Sequence, residues 1–117
     1  ADNLAELAVE KVNNNIYLSD EAYAELKEIC NVAMESFEYA VKARASEKKE
    51  YINKVVEMEK VVDRLKDELR QKHIERLSKG ICTSENGVIF IDALINLERI
   101  SDHSLNIVNY VNDEIKG

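Results

Sequence analysis

The chain has 117 residues, of which 45% are hydrophobic and 33% charged, a composition typical of one folded domain rather than a disordered segment. It contains no proline and three glycines, too few turn-forming residues for a β-sandwich or barrel, so an all-α fold is expected. The formal net charge of −7 argues against a nucleic-acid partner, because binding nucleic acid depends on neutralising phosphates.

The hydrophobic spacing predicts four helices. The first covers about residues 3–12 and ends at three consecutive asparagines, so residues 1–18 are predicted to form a short N-terminal helix and turn. The second begins after Ser19, a good N-cap, and the acidic residues Asp20 and Glu21 suit the positive end of the helix dipole. Its apolar stripe consists of Ala22, Leu26, Ile29, Cys30, Ala33, Phe37, Ala40 and Val41.

The third predicted helix has the least distinct start, since no glycine or proline precedes it. Ser46 is the best available N-cap. The helix is expected to end near Ser78, because Gly80 can adopt the left-handed conformation there and Ile81 can pack back onto the helix. Its apolar stripe, with the three- and four-residue steps of a coiled coil, consists of Ile52, Val55, Met58, Val62, Leu65 and Leu69.

The last predicted helix is capped by Thr83 or Ser84 and continues to about Ile115. Short turns between long helices make neighbours antiparallel, so residues 19–117 are predicted to form an antiparallel three-helix bundle, to which the N-terminal helix is attached. One face of the last helix carries Phe90, Leu94, Leu97, Ser101, Leu105 and Val108.

The motifs of common enzyme classes are missing from the sequence. It has no glycine-rich phosphate loop, no nucleophile elbow and no His-Glu-x-x-His motif. Ferritin-like di-iron sites need Glu-x-x-His, but Arg70 and Ile100 stand three residues before His73 and His103. A small carboxylate–metal enzyme would also need a separate acid, base or nucleophile, so a non-catalytic protein is expected.

Two acidic pairs are the main candidates for a binding site. Glu59 and Asp63 stand four residues apart on the third helix, and Glu98 and Asp102 stand four apart on the last, so each pair shares one helix face. Each pair flanks its helix's apolar stripe, and four carboxylates would converge if the helices pack through those stripes. Hard oxygen ligands suit Mg²⁺, Ca²⁺, Mn²⁺ or iron. An ordinary solvated face is the alternative interpretation.

The remaining polar residues suggest no second site. Asp92 and His103 are interpreted as surface residues, since both fall away from the apolar stripe. His73 is expected to interact with the helix dipole near the C-terminal end of the third helix. The basic residues of that helix, Arg76 among them, alternate with acidic ones and are interpreted as solvated.

Two stretches of the sequence resemble the PhoU-like family, and more narrowly the C-terminal cytoplasmic PhoU-like domain of bacterial sodium/phosphate cotransporters. One is residues 72–82, and the other runs from Phe90 through the Asn-Leu-Glu-Arg-Ile-Ser-Asp-His segment at 96–103 to Ile107. The family's acidic motif, Glu or Asp followed four residues later by Asp, matches both acidic pairs. The resemblance is strong over about residues 55–110. PhoU proteins usually carry two three-helix repeats, whereas this chain has room for one.

The resemblance implies a non-catalytic regulator of phosphate uptake that binds metal ions, such as iron, zinc or another divalent cation, through its acidic pairs. The implied partner is a transmembrane phosphate-transporter domain in the same or another chain, at the cytoplasmic face of the membrane. The two cysteines, in unrelated contexts, also favour a reducing compartment. No apolar run approaches the roughly 20 residues needed to span a bilayer, and no signal peptide is evident. A metal-free bundle that pairs with itself or with another protein is the alternative.

Overall fold

A computed structural model of the protein describes residues 19–81 and 83–116, which form three α-helices. These are α1 (Asp20–Ser46), α2 (Lys49–Ser78) and α3 (Ser84–Lys116), and no strand occurs within the described ranges. Short turns join them, and each helix packs against the other two. The predicted three-helix bundle is therefore confirmed, whereas the predicted helix within residues 1–18 lies outside the described residues.

The boundary between α1 and α2 differs from the prediction. Ser19 caps α1 as expected, its hydroxyl accepting a hydrogen bond from the backbone N–H of Ala22 (3.1 Å). Ser46, however, is the last residue of α1 and not a cap of α2, because its hydroxyl donates to the carbonyl of Lys42 (2.7 Å) one turn earlier. Glu47 then ends α1 in the left-handed conformation (φ 57°).

The turn between α2 and α3 follows the predicted chemistry. Gly80 has a φ of 71°, and its N–H donates to the carbonyl of Leu77 (3.1 Å). The N–H of Ile81 donates to the carbonyl of Arg76 (2.9 Å), which completes a Schellman motif. The expectation that the Ile81 side chain packs back is wrong, since it is 66% exposed. Thr83 caps α3 by accepting a hydrogen bond from the N–H of Asn86 (3.2 Å).

The core is built from the predicted stripes of all three helices. Fully buried alanines on α1 at positions 33, 40 and 43 let the other helices approach closely. Val41, predicted to be in the stripe, is 51% exposed, because Ala40 and Ala43 occupy the inward face at that level. None of the three described helices contains a stretch apolar and long enough to cross a bilayer.

Two polar side chains of α2 are buried against expectation. His73 is 2% exposed and stacks on Phe90, with ring centroids 5.1 Å apart, and Arg76 lies over the same ring. The guanidinium of Arg76 donates to the carboxylate of Glu25 on α1 (2.8 Å). Both residues continue the stripe of Val62, Leu65 and Leu69 by steps of four and three residues, and helical spacing therefore places them inward. The interpretation of Arg76 as solvated is wrong.

Candidate metal centre

Two long helices position the four candidate carboxylates. Glu59 and Asp63 lie one turn apart on α2, and Glu98 and Asp102 lie one turn apart on α3. These four residues are called the acidic quartet below. Lys66 lies one turn beyond Asp63 on α2, and its ammonium donates a hydrogen bond to the carboxylate of Glu98 on α3. That bridge ties the quartet-bearing faces of α2 and α3 to each other.

The carboxylates of the quartet repel one another. Burial raises the pKa of Glu59, and a hydrogen bond with Asp63 and the charges of Asp63, Asp102 and Glu98 raise it further. Burial also raises the pKa of Asp102, as do the charges of Glu98 and Asp63, against the opposing effect of Lys66. The charges of all four carboxylates therefore act on one another where α2 packs against α3.

Lys66 partly compensates this negative charge. Its pKa is raised mainly by the hydrogen bond with Glu98, although burial acts in the opposite direction. Among the ion pairs of the described residues, only the one between Lys66 and Glu98 involves the quartet, so the local charge stays negative. Three members of the quartet are half-buried and Asp102 is exposed, which leaves the group open to solvent and to a solute cation.

The four carboxylates of the quartet do not converge on a single point. Within residues 19–81 and 83–116, no three His, Cys, Asp or Glu side chains are gathered closely enough to hold a metal ion. Rotations of the carboxylates, which stand on two neighbouring helices and are open to solvent, would be needed to enclose one. Release of Glu98 from Lys66 would provide a fourth oxygen-bearing group.

The donor chemistry of the quartet selects among cations. All of its ligand atoms are carboxylate oxygens, which Mg²⁺, Ca²⁺, Mn²⁺ and ferric iron accept readily. Structural zinc sites rely on cysteine and histidine, and the quartet contains neither. The quartet therefore fits a hard cation better than zinc.

One comparison with known proteins identifies the family. Residues 26–111 match the PhoU domain, which is more than half of the chain. The chain belongs to the PhoU family. The matched region contains the whole acidic quartet. The PhoU family is a regulatory, non-catalytic family, and the match indicates a regulatory role in phosphate homeostasis. No curated protein and no solved structure matches the chain.

Three other polar residues of this PhoU domain are not part of the quartet. Asp92 and His103 are exposed, as the sequence predicts, and Asn106 is exposed as well. The residue that sequence reasoning missed is Lys66, whose ion pair with Glu98 depends on how α2 and α3 are aligned. Its position seven residues after Glu59 was the available signal, since two helical turns return a side chain to the same face.

Proposed function

We propose that this PhoU domain regulates phosphate uptake and binds a hard divalent or ferric cation through Glu59, Asp63, Glu98 and Asp102. The observation that carries the proposal is that the two acidic pairs face each other where Lys66 of α2 pairs with Glu98 of α3, close enough that the charges of the other carboxylates add to the effect of burial in raising the pKa of Glu59 and of Asp102. Two carboxylates about 6 Å apart, the spacing of an i,i+4 pair, repel by about 3 kcal/mol at an effective dielectric constant of 20, although water screens much of this for solvent-exposed groups. A bound cation would relieve the repulsion.

The residues have distinct roles in this proposal. Glu59 and Asp63 would present oxygens from α2, and Glu98 and Asp102 from α3, so occupancy would link the two helices. Lys66 holds Glu98 in the metal-free protein and would release it. The ion would balance the negative charge that remains on the quartet after Lys66 has compensated part of it. Metal availability would thereby alter the surface that the domain offers to a partner.

The proposed partner is a transmembrane phosphate-transporter domain, in the same or another chain, with this domain at the cytoplasmic face of the membrane. The PhoU match supports a role in phosphate homeostasis. The segment at residues 96–103 adds the resemblance to cotransporter-attached PhoU-like domains, and it carries half of the acidic quartet.

Calorimetric titration of the chelator-treated protein with Mn²⁺ tests the metal part of the proposal. We expect saturable binding by the native chain and a loss of at least about tenfold in affinity for the Glu59→Gln/Glu98→Gln variant, because each substitution removes one negative charge and replaces one carboxylate oxygen by an NH₂ group. The control variant Glu35→Gln/Glu38→Gln removes the same charge from exposed positions of α1 and should bind as the native chain does. Equal affinities in all three proteins would contradict the proposal.

A second candidate function is a metal-free helical module that docks to a partner or to itself. The ion pair between Lys66 and Glu98 favours it, because that pair compensates part of the acidic charge without any metal. The two functions differ in one property, since only the metal-binding domain should gain thermal stability when Mn²⁺ is added.

A further inference from the structure

An open groove runs between the C-terminal part of α2 and the N-terminal part of α3. Its volume is about 560 Å³, and the residues that line it belong to these two helices. Ile74 and Leu77 form one wall, and Val88 and Ile91 form the other. His73 and Gly87 also line the groove. His73 stacks on the buried ring of Phe90, so the floor of the groove is well packed.

The walls of this groove expose apolar side chains that the bundle does not cover. Val88 is 61% exposed, Ile74 47% and Leu77 38%. Ile95 lies outside the groove, one turn beyond Ile91 on α3, and is 39% exposed. These residues and Ile91 are called the apolar patch below. Isolated exposed apolar residues need no explanation, but a contiguous patch that lines a groove is typical of a binding surface.

The apolar patch continues along the same helix faces into the acidic quartet. On α3, steps of three or four residues lead from Ile95 to Glu98 and then to Asp102. On α2, similar steps lead back from Ile74 through Arg70 to Lys66. The α2–α3 surface is therefore apolar at one end and acidic at the other. From Leu77 back to Glu59 it is about 27 Å long, which matches a helix of about 18 residues.

We propose that this surface binds an amphipathic helix of a partner protein, with apolar side chains over the apolar patch and lysines or arginines over the acidic quartet. Charge complementarity favours a basic helix, because four carboxylates face one ammonium at the acidic end. The apolar end supplies exposed side chains against which the apolar face of a helix can pack.

Because this surface is apolar at one end and acidic at the other, a second copy of this chain is a poor partner for it. A two-fold axis along the helices would place one acidic quartet against another. An axis across them would place each quartet against an apolar patch, where its charges would lose water without gaining a partner. A separate basic helix avoids both penalties. The inference does not depend on metal binding, since the carboxylates attract basic residues in the metal-free protein.

A synthetic helix tests the inference directly. The probe is a fluorescent peptide of 20 residues with leucines along one face of its first half and lysines along the same face of its second half. Fluorescence anisotropy in EDTA should show saturable binding to the full chain. We expect Val88→Asp to weaken it at least about tenfold, since it places a charge in the apolar patch. Val41→Asp, which changes a similarly exposed valine on α1, should leave it unchanged.

A second peptide, in which glutamates replace the lysines, separates charge recognition from apolar stickiness. It should bind at least about tenfold more weakly at low salt, because like charges would meet at the acidic quartet. Equal binding of the two peptides, no binding of either, or equal loss in the Val41→Asp and Val88→Asp variants would overturn the inference. So would a native dimer in sedimentation that Val88→Asp converts to monomer, since a second copy would then cover the surface.

Discussion

Arg76 joins α2 to α1 through one of the most buried charged contacts among the described residues. Its guanidinium lies 2.8 Å from the carboxylate of Glu25, and both side chains are about nine-tenths buried. The more exposed ammonium of Lys72 lies 3.9 Å from the other oxygen of Glu25, and Glu21 approaches Arg76 at 4.0 Å. Glu25 therefore depends mainly on Arg76 for compensation of its charge.

Replacement of Arg76 by methionine should lower the free energy of unfolding by about 3 kcal/mol, because it leaves the Glu25 carboxylate buried without its main partner. The double variant Glu25→Leu/Arg76→Met should recover much of this loss, since an apolar pair needs no compensating charge. Urea denaturation measures both. A double variant no more stable than the single one would contradict this account of the pair.

His73 gives the fold a pH dependence. Burial lowers its pKa below the ordinary value of 6.5, and the nearby charge of Arg76 lowers it further, against the opposing effect of Glu25. The unfolded chain therefore takes up a proton near pH 6.5, whereas the folded chain resists protonation until the pH is lower. This contribution to stability is fully present above pH 6.5 and is lost as the pH falls from there toward the folded pKa.

The comparison of two single variants isolates this effect from the other titrating groups. Between pH 7 and 5.5, the free energy of unfolding should fall less steeply in His73→Gln than in the native chain. His103→Gln should keep the native slope, because His103 is exposed. Chemical denaturation at several pH values measures the slopes, and identical slopes in all three proteins would show that His73 does not set the dependence.

At the scale of the elements, close contact between α2 and α3 depends on a glycine inside α3. A Cβ atom added at Gly87 would lie 2.6 Å from Nε2 of His73 and 3.5 Å from a methyl carbon of Leu77. His73 has little room to yield, since its ring is stacked on Phe90. Helix propensity and packing therefore make opposite predictions for this position.

Propensity alone predicts that Gly87→Ala stabilises α3 by about 1 kcal/mol. The steric conflict costs about 1–3 kcal/mol, so we expect a net loss of about 1 kcal/mol. Asn96→Ala, at an exposed position of the same helix, should instead raise stability by a few tenths of a kcal/mol. Thermal denaturation measures both changes, and a stabilised Gly87→Ala variant would mean that His73 moves aside freely.

At the scale of the whole molecule, the apolar spacing predicted the bundle but not how the faces of its helices align. Phe90, Leu94 and Leu97 are buried as the stripe on α3 indicates. His73 and Arg76 are buried because they continue the stripe on α2, although their residue types are typical of a surface. The spacing placed each acidic pair on a flank of its helix, but the interaction of the two pairs depends on the packing of α2 against α3.

The alignment of α2 and α3 also explains why one surface combines an apolar patch with an acidic quartet. Side chains at the flanks of the two helices meet on this surface, where α2 changes along the chain from acidic to apolar and the antiparallel α3 changes from apolar to acidic. Lys66 lies between the two ends and pairs with Glu98. A regulatory domain built this way would offer carboxylates to a cation or to basic side chains at one end and apolar side chains to a partner helix at the other.

The central claim is that the acidic quartet binds a hard cation, and paramagnetic broadening of amide NMR signals by Mn²⁺ tests it most directly. At substoichiometric Mn²⁺, we expect the strongest broadening in two separate segments, one around Glu59 and Asp63 and the other around Glu98 and Asp102. Excess Ca²⁺ or Mg²⁺ should reverse it by competition. Broadening that is uniform along the chain, or centred on acidic residues elsewhere such as Glu35 and Glu38, would contradict the claim.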